Sequence, residues 1–321
     1  MHRIYKFRIY PTLEQQELIN KTFSGFRFIF NHMLTEKDRH YKQTGKYYKN
    51  TPAQYKNEFL WLRDIDSIAL SYAARELDTQ FKAFMRKKGR YPLAKKINEN
   101  KYKTLCINGN IRVENGYIKL PKIGLVRINQ HREIPDEFEL KAVVVQKDIL
   151  GRYFVHIDLD KDCKINWIKP TNSVGIAPID NGICVLSDGL VCEVPNIKLK
   201  TRLNIEQFKL SRCRWNSNNW NKQKAKMNKA EVKLWQCKKD YMHKMSYEIA
   251  NTYDAVYVAK VDLSKTDNDY ILFLTMLNYK LIERGKRLIQ VSKIKKSLQG
   301  IDLAIALNNR EAHGVSLYNR K

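Results

Sequence analysis

The chain of 321 residues is 43% hydrophobic and 29% charged, enough to bury roughly two or three cores and too apolar for an intrinsically disordered protein. Its 59 Lys plus Arg against 33 Asp plus Glu give a formal charge of +26, which repels itself unless a polyanion neutralises it; nucleic acid is the expected partner, and an anionic membrane surface or a plain solubility charge is the alternative. With no apolar run near ~18 residues, no signal peptide, and six cysteines too far apart for any Cys-x-x-Cys pair, the composition excludes a membrane-spanning helix, a zinc ribbon and a thiol redox motif, and points to a cytoplasmic protein with reduced thiols.

Residues 3–10, Arg-Ile-Tyr-Lys-Phe-Arg-Ile-Tyr, alternate with period two and stop at Pro11, which predicts a strand with basic and aromatic side chains on separate faces. Thr12 and Gln15 then form a capping box, after which Leu18, Ile19, Phe23, Phe26, Phe30 and Met33 recur at helical spacing. A second helix begins near Asp66 and Ser67. Leu70, Ala73, Ala74, Leu77, Phe81 and Phe84 lie on its core face, and Ser67, Ser71, Arg75, Lys82 and Arg86 lie opposite. A basic linker from Arg86 to Lys96 follows. Short strands punctuated by Asn108-Gly109, Asn115-Gly116, Ile123-Gly124 and Leu150-Gly151 then suggest a small barrel. The first strand would be an orphan edge alone, so it is expected to pair into this barrel, making residues 11 to about 100 a helical insertion.

From Ser173 the pattern is a three-stranded meander turning at Asn181-Gly182 and Asp188-Gly189. A polar helical region over about 203–252, broken around 216–219, leads to the apolar strand Ala255-Val-Tyr-Val-Ala259. A helix carrying Ile271, Phe273, Met276, Leu277 and Leu281, a strand over 287–291 and a short helix near 302–309 complete the chain. Three strands, helices, strand, helix, strand, helix is the order of an RNase H-like fold. Nucleases of that fold hold two Mg²⁺ ions with carboxylates on the first strand, on the central later strand and on a C-terminal helix. Here those places read Ala177, Ala259 and Asp302. A methyl group cannot ligate a hard cation, and one carboxylate does not organise a two-metal site.

Several stretches, in order, make the resemblance specific: Tyr5-Lys-Phe-Arg-Ile-Tyr-Pro-Thr12, Phe26-Arg-Phe-Ile-Phe-Asn31, Asn108-Gly-Asn-Ile-Arg112 with Ile118-Lys-Leu-Pro-Lys122, Leu186-Ser-Asp-Gly189 and His243-Lys-Met-Ser246. Over nearly its whole length the chain resembles the TnpB family, transposon-encoded RNA-guided DNA nucleases ancestral to the type V CRISPR effectors. The resemblance implies an α+β multidomain protein. A β-barrel wedge (WED) domain spans 1–10 and 100–165, a helical recognition (REC) domain 11–99, and an RNase H-like (RuvC) domain 170–321 with a helical insert at about 203–252. The family's first catalytic motif, Val-Gly-Ile-Asp-Leu-Gly, fits without gaps and puts Ala177 in the place of its aspartate. The second puts Ala259 in the place of a glutamate, and the third resembles Asp302-Leu-Ala-Ile-Ala-Leu-Asn308. The family's Cys₄ zinc ribbon has no counterpart, because only ten residues and no cysteine separate Val291 from Asp302. Pro178, Ile179 and Lys260 have drifted as well, so the chain is similar to the nuclease-dead TnpB-like repressors (TldR), with no catalytic residue and no metal site expected.

Other carboxylates have a structural reading beside the functional one. Asp180 and Asp262 each lie three residues past a lost ligand, an odd offset that points to the opposite strand face. Asp302 is either a remnant ligand or the N-cap of the last helix, and His243 is read as a packed helix residue. Tyr5, Phe7 and Tyr10 either stack on bases or pack in the barrel. Arg27 and Asn31 share a helix face and either clamp a phosphate or base edge or satisfy nearby backbone. The family's location for reading a short duplex motif favours Ser71, Arg75 and Gln80 on the second helix. Lys6, Lys82, Lys95 and Lys96 are further candidates for nucleic-acid contact, with Lys209, Arg212, Arg214 and Lys222 in the densest basic tract.

The implied mechanism is occupancy. A guide RNA supplies the sequence by pairing, the protein reads a short motif in the flanking double-stranded DNA, and a promoter held in this way is closed to RNA polymerase. No cofactor beyond the guide RNA is expected, and the complex would sit on the bacterial nucleoid. The rival expectations are an RNA-guided endonuclease with relocated metal ligands and a transposon RNA-binding protein that never engages DNA.

Overall fold

A computed structural model describes residues 2–87, 89–95, 103–107, 111–162, 164–180, 182–193, 197–259, 267–291 and 299–309. The chain is α+β and divides into two units, 1–163 and 164–321.

In the first unit β1 (His2–Tyr10) leads to α1 (Leu13–Thr44), α2 (Pro52–Glu58), a 3-10 turn at Leu60–Asp64 and α3 (Ser67–Met85). Thr12 and Gln15 close the capping box reciprocally, and Gly45 ends α1 in the left-handed conformation that a residue without a Cβ takes most easily (φ 66°). Strands β2 (Lys103–Ile107), β3 (Arg112–Glu114), β4 (Tyr117–Leu120), β5 (Gly124–Asn129), β6 (Glu139–Lys147) and β7 (Tyr153–Asp160) follow. All seven form one antiparallel sheet in the order β2-β6-β7-β1-β5-β4-β3.

The first strand is therefore central. It pairs with β7 from His2↔Asp160 to Ile9↔Tyr153 and with β5 from Arg8↔Asn129 to Tyr10↔Arg127. Its odd positions Phe7 and Ile9 are buried, whereas Ile4, Arg8 and Tyr10 are exposed. Among the described residues the order is open, with β2 and β3 at its ends and no pairing that closes a barrel. The turn at 108–110 between those two strands lies outside the described residues.

The helices do not stand apart from the sheet. Ile19 and Phe23 of α1 and Ala69 of α3 share one apolar cluster with Phe7, Ile9, Val126, Val145 and Val155, and Gln15 Nε2 donates to the Leu125 carbonyl at 2.8 Å. A second cluster holds the helices to one another through Phe30, Met33, Leu62, Leu70 and Leu77. Leu18, expected on the core face, is 38% exposed. It sits about 100° around the helix from fully buried Ile19, at the edge of the face that packs on the sheet.

The second unit contains β8 (Ser173–Pro178), β9 (Cys184–Leu186), β10 (Val191–Cys192), α4 (Ile197–Ser211), α5 (Asn218–Thr252), β11 (Ala255–Ala259), α6 (Asn268–Glu283), β12 (Arg287–Val291) and α7 (Gly300–Asn309). The sheet order is β10-β9-β8-β11-β12, with β8, β11 and β12 parallel and β9 and β10 antiparallel. Buried on both faces, β11 reads as a continuous apolar run rather than an alternation. One face, with Val174, Ile176, Val256 and Val258, packs with Met242 and Ile249 of α5 and Phe273 and Leu277 of α6. The other face is covered by α7 through Ala304 and Leu307. The helical region begins at Ile197, several residues before the expected start, and breaks between Ser211 and Asn218.

Candidate nucleic-acid interface

Strands β8 and β11 and helix α7 carry Ala177, Ala259 and Asp302, the three positions singled out from the sequence. In the parallel pair β8/β11, Tyr257 stands beside Gly175 and Val258 beside Ile176. Continuing one step, Ala177 and Ala259 fall side by side, and the two-residue period puts both on the face that α7 covers. Ala177 is fully buried against Val185 and Ala304, and Ala259 is half-buried beside Val291. The helix lies close because Gly175 has no side chain: a Cβ there would come within 1.9 Å of the Ala304 carbonyl oxygen.

Asp302 is exposed, in the first turn of α7. The helix starts at Gly300, so Asp302 is its third residue and not its N-cap, which corrects that alternative. Two residues from Ala304, it points to nearly the opposite side of the helix from the sheet. Asp180 is exposed beyond the end of β8, and Asp262 lies outside the described residues, as do Lys260 and 292–298. Two methyl groups and one outward carboxylate do not fit a pair of divalent cations. Among the described residues no three His, Cys, Asp or Glu side chains gather into a metal-holding group. The carbonyl of His243 accepts from buried Lys280, whose ammonium also donates to Ser246 Oγ at 2.7 Å. Burial, with Arg284 nearby, lowers the pKa of Lys280 to about 8.

On the first unit, part of the expected binding set is engaged internally. Asn31 Nδ2 donates to the Lys95 carbonyl at 2.9 Å and its Oδ1 accepts from the Lys95 amide at 2.7 Å, so it satisfies backbone rather than reaching outward. Lys95 Nζ pairs with Glu76 at 2.8 Å and lies 4.6 Å from the Phe30 ring centre, and Gln80 donates to the same Glu76 carboxylate at 3.1 Å. These three residues tie the linker to α1 and α3. With Arg90 and Tyr91, Gln80 and Lys95 line a groove of about 480 Å³; Arg90 carried no periodic signal that would have marked it. Ser71, Arg75 and Lys82 are exposed on α3, and Arg27 is half-buried on α1. Lys6 Nζ rests 4.3 Å from the Phe154 ring centre on β7. Phe7 is core and unavailable for stacking, while Tyr10 is exposed under the Arg8 guanidinium, 4.9 Å from its ring centre. Lys96 lies outside the described residues.

On the second unit α4 and α5 pack as a hairpin in which α4 buries no residue. Lys209, Arg212, Arg214 and Lys222 are all exposed near its tip. Sequence reasoning passed over the aromatic residues among them, Phe208, Trp215 and Trp220, because only folding brings 208 and 220 to the same end of a hairpin.

The chain is similar to known proteins over most of its length. Residues 1–46 match the helix-turn-helix domain of the IS605 OrfB family, and residues 156–268 match that family's domain described as "Probable transposase". Residues 1–46 form here a strand and one uninterrupted helix. The chain is 27% identical over 270 residues to "Putative RNA-guided DNA endonuclease InsQ" of Escherichia coli (strain K12), covering 81% of this chain and 66% of that protein. It is 25% identical over 312 residues to a "Putative RNA-guided DNA endonuclease" of Streptomyces pristinaespiralis, covering 91% and 77%. A solved structure of a Cas12f1-sgRNA-target DNA complex shares the fold at a TM-score of 0.50 and 10% identity, over 100% of this chain and 96% of that one.

Proposed function

Because the chain belongs to the TnpB family, we propose that it is an RNA-guided, sequence-specific DNA-binding protein that occupies its target without cutting it. The observation that carries the second half is the presence of Ala177 and Ala259 at the ends of β8 and β11, which pair in parallel through Val258↔Ile176, where a nuclease of this fold needs two carboxylates. The first half is supported by the names of the two relatives and by a charge of +26. In this reading residues 1–10 with 100–165 are the wedge domain, 11–99 the recognition domain, and 170–321 a RuvC domain that has lost its zinc ribbon.

A guide RNA supplies specificity by pairing, and the protein holds the heteroduplex by its backbone while reading a short motif in the flanking duplex. Ser71 and Arg75, exposed on α3, are the residues best placed to read that motif, with Lys82, Arg27 and Lys6 as phosphate contacts. Asn31, Gln80 and Lys95 act one step back, by holding the linker on α1 and α3. Over a promoter the complex blocks RNA polymerase, which makes the protein a transcriptional repressor that needs no cofactor beyond its RNA.

The test starts from RNA co-purified with the chain. Its variable end is sequenced, a matching duplex is made, and gel shift compares it with a scrambled duplex. Retention of the matched duplex alone is expected. Bulk ribosomal and transfer RNA as the sole cargo, or RNA binding with no guide-dependent duplex binding, contradicts the proposal and favours an RNA-storing protein.

A further inference from the structure

The turn between α4 and α5 sets exposed aromatic rings among its cations. Ser217 Oγ accepts from the Trp220 amide at 3.1 Å and caps α5, and Asn216 adopts a left-handed backbone with φ 60°, a conformation that asparagine tolerates better than most residues. Cap and backbone together fix the turn. It holds Trp215 outward, 73% exposed, with its ring centre 4.5 Å from that of Trp220 and the planes inclined at 58°. Trp220 is buried and carries the Lys224 ammonium 4.4 Å from its ring centre. On α4, Phe208 is 64% exposed with the Arg212 guanidinium 5.5 Å from its ring centre.

Phosphate binding explains the cations and leaves the rings unexplained. A duplex presents phosphates to Arg214 and Lys222 but keeps its bases stacked on one another, so it offers Trp215 nothing to cover it. An unpaired base has a free π-face, and folded RNA displays such bases in loops and bulges. We propose that the tip of the α4–α5 hairpin is a stacking platform for an unpaired base of the bound RNA. Trp215, backed by Trp220, takes the face of the base, and Arg214 and Lys222 take phosphates beside it. The proposal rests on the reading above that the chain carries an RNA, and adds the form in which this surface meets it.

The full chain is irradiated with a single-stranded RNA containing 5-iodouridine, and the crosslinked peptide is identified by mass spectrometry. The crosslink is expected at Trp215, absent in Trp215→Ala and retained in Trp215→Tyr, which keeps a ring. Fluorescence anisotropy with the same RNA should show about a tenfold loss of affinity for Trp215→Ala with an unchanged salt slope, and recovery of most of it in Trp215→Tyr. Arg214→Ala should instead lower the slope by about one.

Crosslinks confined to other residues overturn the proposal, as does an equal loss on a blunt-ended duplex. Preferential crosslinking to single-stranded DNA of the same sequence assigns the tip to a DNA strand, and self-association lost in Trp215→Ala assigns it to a second copy; either result also overturns it. Guided duplex binding, measured on the same preparation, separates the two readings. A Trp215 crosslink in a protein that ignores matched duplex sinks the proposed function and leaves the platform standing.

Discussion

Ala177 is surrounded by Val185, Ala304, Ile179 and Leu303, so its environment has closed around a methyl group. An aspartate there would be buried with no cation or donor to meet it. Ala177→Asp should lower stability at neutral pH by about 3 kcal/mol, read from the denaturant midpoint. Added Mg²⁺ should not restore it. The buried carboxyl would titrate above its unfolded value, so the loss should shrink as pH falls and the group protonates. Asp254 shows the opposite sign. Its carboxylate accepts from the Thr171 hydroxyl at 2.7 Å and the Thr171 amide at 3.1 Å and pairs with Lys286 at 3.2 Å, which holds its pKa down to about 2. Its contribution is complete above the usual carboxylate range and disappears as pH falls through about 2. Asp254→Asn should therefore cost about 2 kcal/mol at pH 7 and almost nothing near pH 2, by the same midpoint measurement. At this scale sequence reading found types and spacings but not destinations. Arg27 and Asn31 do lie four apart on α1, yet the partner of Asn31 is the backbone of Lys95, 64 positions away. Lys37 reads as surface by type, and its spacing from Phe30 and Met33 reads as core; it is fully buried, 3.1 Å from the Asp78 carboxylate.

The elements were legible where one local signal decides them. The capping box fixed the start of α1, and the short, β-branched apolar run of β11 read as a covered strand. The start of α4 was not legible, because that helix buries no residue and leaves no periodic trace; the third strand of the meander, marked by the Asp188-Gly189 turn, is present as β10. Gly175 exemplifies a long-range constraint with no local mark: it sits mid-strand, and its reason is a helix more than a hundred residues later. Gly175→Ala meets the Ala304 backbone, which cannot rotate away, so α7 must shift from β8. A loss of about 2 kcal/mol is expected, seen as a lowered melting temperature with earlier proteolysis around α7. An unchanged melting temperature would mean that α7 does not sit against β8 as described.

At the scale of the whole chain, the charge of +26 was the first signal of a polyanionic partner. The structure adds that exposed cations stand on α3 and around an aromatic tip between α4 and α5 as well as elsewhere on the surface. Replacing Lys209, Arg212, Arg214 and Lys222 together by Gln should flatten the slope of log affinity against log salt for RNA by about 3. No described helix is long and apolar enough to cross a membrane. The boundary between the two units falls near the 165–170 expected from the sequence, and within the first unit α1 and α3 bury Ile19, Phe23 and Ala69 against the same sheet that contains β1.

The central claim is that a guided complex holds DNA and leaves it whole. The most direct measurement loads the purified chain with its own RNA, adds matched duplex with Mg²⁺ or Mn²⁺, and runs one reaction on both a native and a denaturing gel. A shifted band whose two strands are intact is the predicted result. Metal-dependent cleavage of the matched duplex that disappears in Asp302→Ala would contradict it, since a working metal site would then have formed without carboxylates at Ala177 and Ala259.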